Sequence, residues 1–90
     1  MIKVRLSKDS PSVLAFDEDV LECFLVDGSK RFHISLIKDI QLEPKDRGKY
    51  LLTIQLKFDP VLLLVDEEVV PRVNEIIAGI RKEMVNYKFE

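Results

Sequence analysis

The sequence predicts a mainly β domain closed by one carboxy-terminal helix. Two regimes of hydrophobic patterning carry that expectation. Residues 2–65 are cut by turn signals into seven short apolar or alternating runs, the pattern of a barrel or sandwich, whereas residues 67–87 change to a helical period. Length supplies the third observation. The chain has 90 residues, 47% of them hydrophobic and 33% charged. Folding at that size buries roughly 60–65% of the surface, which suffices for one core but not two. We therefore expect a single domain over 1–90, with strands over about 2–65 and helix over about 68–87.

Each element has a local reason. Ile2, Val4 and Leu6 alternate with Lys3 and Arg5, as in a half-buried strand. Asp9-Ser10-Pro11-Ser12 is turn chemistry and leads into the short run Val13 to Phe16. Asp17-Glu18-Asp19 is a solvated acidic turn before Val20 to Val26. Asp27-Gly28 then gives the strongest hairpin signal in the chain, because glycine accepts the positive φ of a primed turn. The return strand runs from about Lys30 to Leu36. A two-residue Asp27-Gly28 loop places Cys23 opposite Phe32 and Leu21 opposite Ile34 on the core side. On the other face it sets Glu22 opposite His33 and Phe24 opposite Arg31. His33 is read as the cross-strand partner of Glu22.

Ile40 to Glu43 is a short strand, and the charged loop from Pro44 to Lys49 turns at Gly48. Tyr50, Leu52, Ile54, Leu56 and Phe58 alternate with Leu51, Thr53, Gln55 and Lys57, a long amphipathic strand. Asp59-Pro60 makes a turn. Val61 to Val65 is apolar throughout and is expected to be covered on both faces. Val73, Ile76, Ile77, Ile80 and Met84 then mark one stripe of a helix. Asp66, Glu67 and Glu68 supply acid near its positive end, and Pro71 belongs in or near its first turn. Gly79 interrupts the helix and is read as a point of close helix–sheet approach or of simple drift.

Phe16 to Ile40 reads F-x4-L-x5-DG-x3-F-x-I-x2-I-x2-I. That stretch resembles the β2 to β5 core of bacterial pleckstrin-homology-like (PH-like) and GRAM-like domains. The end, VDEEVVPRVNEIIAGIRKE, is similar to their acidic-started closing helix. The resemblance implies a PH-like split barrel of about seven antiparallel strands capped by an α-helix. It also implies that the loops near 7–12, 27–30 and 58–60 share one end, and those near 17–19, 37–39 and 45–49 the other. Lys8, Lys30 and Arg31 would then meet at the first end as an anion site. Lys45, Arg47 and Lys49 would lie at the second, beside Asp17, Glu18 and Asp19. The chain departs from eukaryotic PH domains in having no tryptophan and no basic residue in Val13 to Phe16, so phosphoinositide binding is not implied.

Composition excludes several function classes. The formal charge of −2 leaves no basic surface for nucleic acid. Val61 to Val65 is the longest apolar run, against the ~20 residues that span a bilayer. The amino terminus, MIKVRLSKDSPS, has no signal-peptide h-region. Cys23 is the single cysteine and is read as inert core packing, so a reducing, cytoplasmic setting is expected. No CxxC or HxxxH spacing and no glycine-rich phosphate loop occurs, so neither metal nor cofactor is expected. Ser35 lies at i+2 from His33, but the sequence places no third member of a catalytic set.

A non-catalytic interaction module remains, binding protein or assembling with itself. Its expected surfaces are strand edges at Val13 to Phe16 and Ile40 to Glu43, with apolar spots at Phe24, Leu51 and Tyr87. Phe89 would be frayed or docked on a neighbour. The alternative is a weak peripheral binder of anionic lipid or a small anionic ligand through Lys8, Lys30 and Arg31.

Overall fold

The computed structural model describes residues 2–86. The expectations on Tyr87 and Phe89 lie outside those residues. Seven strands form two antiparallel sheets. The first contains β1 (Ile2–Arg5), β2 (Val13–Asp17), β3 (Val20–Leu25) and β4 (Gly28–His33), paired in that order. The second contains β5 (Ile37–Pro44), β6 (Lys49–Leu56) and β7 (Val61–Asp66). A 3₁₀ turn at Glu67–Val69 leads into α1 (Val70–Asn86). The fold is mainly β with one carboxy-terminal helix, as the two hydrophobic periods predict.

The core lies between the sheets and the helix. Leu14, Leu21 and Cys23 of the first sheet are fully buried, as are Ile40, Leu52 and Ile54 of the second. All five residues of the helical stripe, Val73, Ile76, Ile77, Ile80 and Met84, join them. Pro71 occupies the first turn of α1, where its missing N–H costs no helical bond. Gly79 marks a close approach. A Cβ built there would stand 3.1 Å from the Phe16 ring of β2.

Two corners join the sheets. At one, a 3₁₀ turn at Ile34–Leu36 carries the chain from β4 to β5. Its ends are fixed by Ile34 N–H donating to Asp19 C=O at 2.9 Å and Lys57 N–H to Leu36 C=O at 3.3 Å. At the other, the Asp66 N–H at the end of β7 donates to the Leu6 C=O just past β1 at 2.8 Å.

The β3–β4 hairpin corrects the predicted register. Leu25 pairs with Gly28, so the two turn residues are Val26 and Asp27. Gly28 supplies its positive φ of 145° at the exit of the turn, not at its centre. Every cross-strand pair therefore slides by two residues. Glu22 faces Arg31, Phe24 faces Ser29, Leu21 faces Phe32, and His33 faces Val20. Glu22 and His33 are therefore not directly opposite each other. A slide of two preserves the faces, so Leu21 and Cys23 still point into the core.

Two further expectations change. The strand at Val13 to Phe16 is not an edge, because β2 lies between β1 and β3. The segment Val61 to Val65 is covered on one face only. Val61, Leu63 and Val65 are buried, but Leu62 and Leu64 are 58% and 51% exposed. Val61, Leu63 and Val65 join the buried cluster with the helix stripe, whereas Leu62 and Leu64 point to the opposite face of the second sheet. The helix reaches β5 through Arg81, which donates to the Ile40 C=O at 2.8 Å.

The Gly79–Phe16 contact leaves no room for a branched side chain. Replacement Gly79→Leu should lower unfolding free energy by about 1–3 kcal/mol, as overpacking of a filled core does. Urea denaturation checks this; an unchanged midpoint would show that the helix sits further from β2.

Candidate functional site

The sequence assigns Asp66 to the helix start, but the structure uses it elsewhere. Asp66 ends β7, and among the described residues it is one of two buried polar ones, Ser7 being the other. Its carboxylate accepts from the Lys8 N–H at 3.0 Å and from the Ser7 hydroxyl at 3.3 Å. Lys49, at the start of β6, donates to the same carboxylate and to Asp9 at 3.1 Å. Arg47 and Gly48 both have positive φ, 55° and 72°, and this left-handed pair turns the chain so that Lys49 enters β6 facing Asp66. The Lys49 ammonium holds the Asp66 carboxyl below the ordinary 3.8, helped by the Lys8 N–H, while burial opposes it. Asp66 and Asp9 in turn raise Lys49 above its ordinary 10.5.

Beyond this knot the two sheets part, and an open groove of about 540 Å³ lies between them. Leu62, Leu63 and Leu64 of β7 form one wall. Ser10 and Ser12 of the β1–β2 loop, with Leu25, Val26 and Asp27 of the β3–β4 turn, form the other. Val26 is 78% exposed, an uncommon place for valine in a turn. The backbone adds to the apolar surface. Along a strand, N–H and C=O groups of alternate residues point to alternate sides. Glu67 N–H turns toward β6, donating to Gly48 C=O at 2.9 Å, and Asp66 N–H turns away from it to Leu6. Leu64 and Leu62 share the parity of Asp66, so their N–H and C=O groups also face away from β6. Among the described residues, no backbone bond from Leu62 or Leu64 to another element occurs on that side. These residues join exposed side chains with an open strand edge.

The predicted anion site is not assembled. Lys8 lines a depression of about 340 Å³ with Arg47 and Lys49, among Asp9, Asp66, Glu67 and Glu68. Lys30 lies three strand spacings from the β1 end of its sheet, roughly 14 Å, opposite Cys23. Arg31 faces Glu22 and lines a different depression with Asp17, Glu18 and Asp19. Arg47 and Lys49 belong with Lys8 and Asp9, not beside the acidic turn at 17–19, because the Asp66 knot draws the 45–49 loop to the opposite end.

His33 has other partners. Its Nε2 lies 3.1 Å from Asp19 Oδ2, and its Nδ1 lies 2.8 Å from the Ser35 hydroxyl. That order matches a nucleophile triad, which the sequence could not complete because Asp19 sits in a distant turn. The local geometry is that of a cap. Nδ1 also accepts the Ser35 N–H at 3.1 Å, at the start of the 3₁₀ turn, which assigns the ring proton to Nε2, facing Asp19. Ser35 is exposed, and the neighbouring acidic depression is lined by neither His33 nor Ser35. Acyl transfer requires a water-excluding wall and oxyanion donors around its nucleophile.

The remaining candidates are structural. Burial pushes the Cys23 thiol up to about 12. Phe24 and Leu51 are only half-exposed, and the Lys3 ammonium lies 5.8 Å from the centre of the Phe24 ring. Among the described residues, no three His, Cys, Asp or Glu side chains converge as metal ligands, and no helix is long and apolar enough to cross a membrane.

Two measurements test these assignments. Asp66 is lowered in the folded state, so its contribution is present above the ordinary carboxylate value of 3.8 and is lost as pH falls through the lower folded one. Lys49 is raised, so its contribution is present below 10.5 and is lost as pH rises through the higher folded value. Asp66→Asn should lower the urea midpoint at pH 7 and narrow the gap to the wild type at acid pH. A constant gap across the titration would show that the knot carries no charge interaction. Separately, a thiol reagent should label Cys23 only on unfolding; labelling at the native rate of a free thiol would contradict its burial.

No family model, curated protein or solved structure matches the chain.

Proposed function

We propose that the chain is a non-catalytic protein-interaction module of PH-like, split-barrel type, and that the open edge of β7 is the face it uses. Seven antiparallel strands followed by one terminal helix support the PH-like reading, since that resemblance implies this order. The functional reading rests on one observation. Leu62 and Leu64 bring exposed apolar side chains and unpaired backbone groups to the same edge. Native domains blunt such edges with lysine, proline or bulges, and β7 has none of these between Val61 and Val65. Full burial of an exposed leucine is worth about 1.5–3 kcal/mol, and roughly half of that remains to be gained at each of these half-exposed residues, so a partner strand there gains both apolar burial and hydrogen bonds.

Self-association is the second reading. Pairing Leu62 of one copy with Leu64 of another would set Asp59 opposite Glu67 twice over, and like charges in register oppose that pairing. A different protein is therefore the favoured partner. The anionic-ligand alternative has weaker support, because Lys8, Arg47 and Lys49 stand among four carboxylates. The buried thiol fits the reducing, cytoplasmic setting that the cysteine count suggests.

A photo-crosslinking side chain at position 62, used in extracts of the source cell, should give discrete protein adducts. The same group at Val85, exposed on α1, should not, and Leu64→Lys should abolish the adducts at 62. Equal labelling from both positions, no adduct at 62, or indifference to Leu64→Lys would overturn the reading.

A further inference from the structure

We infer that the groove beside β7 takes an extended peptide segment that adds as a strand to Leu62–Leu64, is apolar at alternate positions and carries a lysine or arginine. This rests on the interaction reading above and names the chemistry of the partner. Three features of the groove converge on it.

The backbone comes first. Leu62 and Leu64 each offer one N–H and one C=O on the open side, and an extended segment is the ligand that satisfies both in register. A compact ligand or a helix, whose own backbone groups are internally bonded, leaves them unpaired. The side-chain pattern comes second. One face of an added strand would lie over Leu62 and Leu64, and the other would point toward Leu25 and Val26 across the groove. The far wall mixes Leu25 and Val26 with Ser10, Ser12 and Asp27, so only the face over Leu62 and Leu64 must be apolar, and strand periodicity puts those apolar residues at alternate positions of the ligand.

Charge decides the third feature. Asp9 and Asp27 line the groove, and its one lining cation, Lys49, is already bound to Asp66 and Asp9. Asp27 is exposed at the tip of the β3–β4 turn. Asp59 precedes β7, and Glu67 follows it. The far wall and the Asp59 end are therefore acidic, and at the Glu67 end four carboxylates outnumber Lys8, Arg47 and Lys49. A ligand with basic residues at its ends matches that field, whereas a second copy of this chain brings the same acids back against it.

An array of randomised heptapeptides, probed with the intact protein, tests this directly. Binding peptides should be enriched in valine, isoleucine or leucine at alternate positions and in lysine or arginine toward their ends. Nuclear magnetic resonance with one such peptide should shift the amides of Leu62 and Leu64 more than those of α1. Asp27→Lys should weaken that peptide about tenfold, a loss typical of a charge contact, with no change in the urea midpoint. N-methylation of the peptide backbone should abolish binding. Enrichment without basic residues would overturn the charge assignment, and undiminished binding of the N-methylated peptide would overturn strand addition. Concentration-dependent dimers, dissolved by Leu64→Lys, would assign the edge to a second copy instead. An array with no binders, beside intact crosslinking at position 62, overturns the extended basic peptide alone; loss of both overturns the interaction reading too.

Discussion

A buried carboxylate holds the two sheets together. Asp66 ends β7, and the segments it binds follow β1 in the other sheet and begin β6 in its own. Removing a carboxylate from water is costly unless donors replace the solvent, and a hydroxyl, a backbone N–H and an ammonium do so here. That requirement sets the position of three segments at once. The 7–9 turn must present Ser7 and the Lys8 N–H, and the 45–49 loop must deliver Lys49. The left-handed pair at Arg47 and Gly48 accomplishes the second.

The open edge follows from the same constraint. The knot closes the corner between β1 and β7 at Asp66, while the β1–β2 loop and the β3–β4 turn keep the rest of the corner apart. Leu62 and Leu64 lie just beyond the last inter-sheet bond. Their side chains face away from α1, and their backbone groups face away from β6. The apolar surface is thus a product of where the sheets stop touching, not of any shortage of core. Nineteen of the described residues already form a continuous buried cluster.

The patterning made most elements legible in advance. The stripe from Val73 to Met84 has one period and one face, so burial follows directly from position; the alternation from Tyr50 to Phe58 does so at Leu52 and Ile54 but fails at Phe58, which lies past the end of β6 and is 76% exposed. The hairpin was legible as to face but not register. Asp27-Gly28 identifies a turn, yet glycine can serve at its exit as well as at its centre, and the two choices differ by two residues. The β7 edge was hidden for a related reason. Five consecutive apolar residues carry no alternation, and a strand covered on both faces gives the same pattern as one exposed on one. Alternation, by contrast, places Phe24 and Leu51 on outer faces.

The sequence by itself determined the seven strands and the closing helix, most residues of the core and the chain's nearly balanced charge. Periodicity and turn chemistry are local, so they can be read without partners. Only the tertiary structure decided what each charged group does. Asp66 and Lys49 are seventeen residues apart, and Ser7 is 59 from Asp66, distances at which no spacing rule operates. The same holds for His33, whose Asp19 partner comes from another turn. Charge pairing and edge exposure depend on which segments packing brings together, and that information resides in three dimensions.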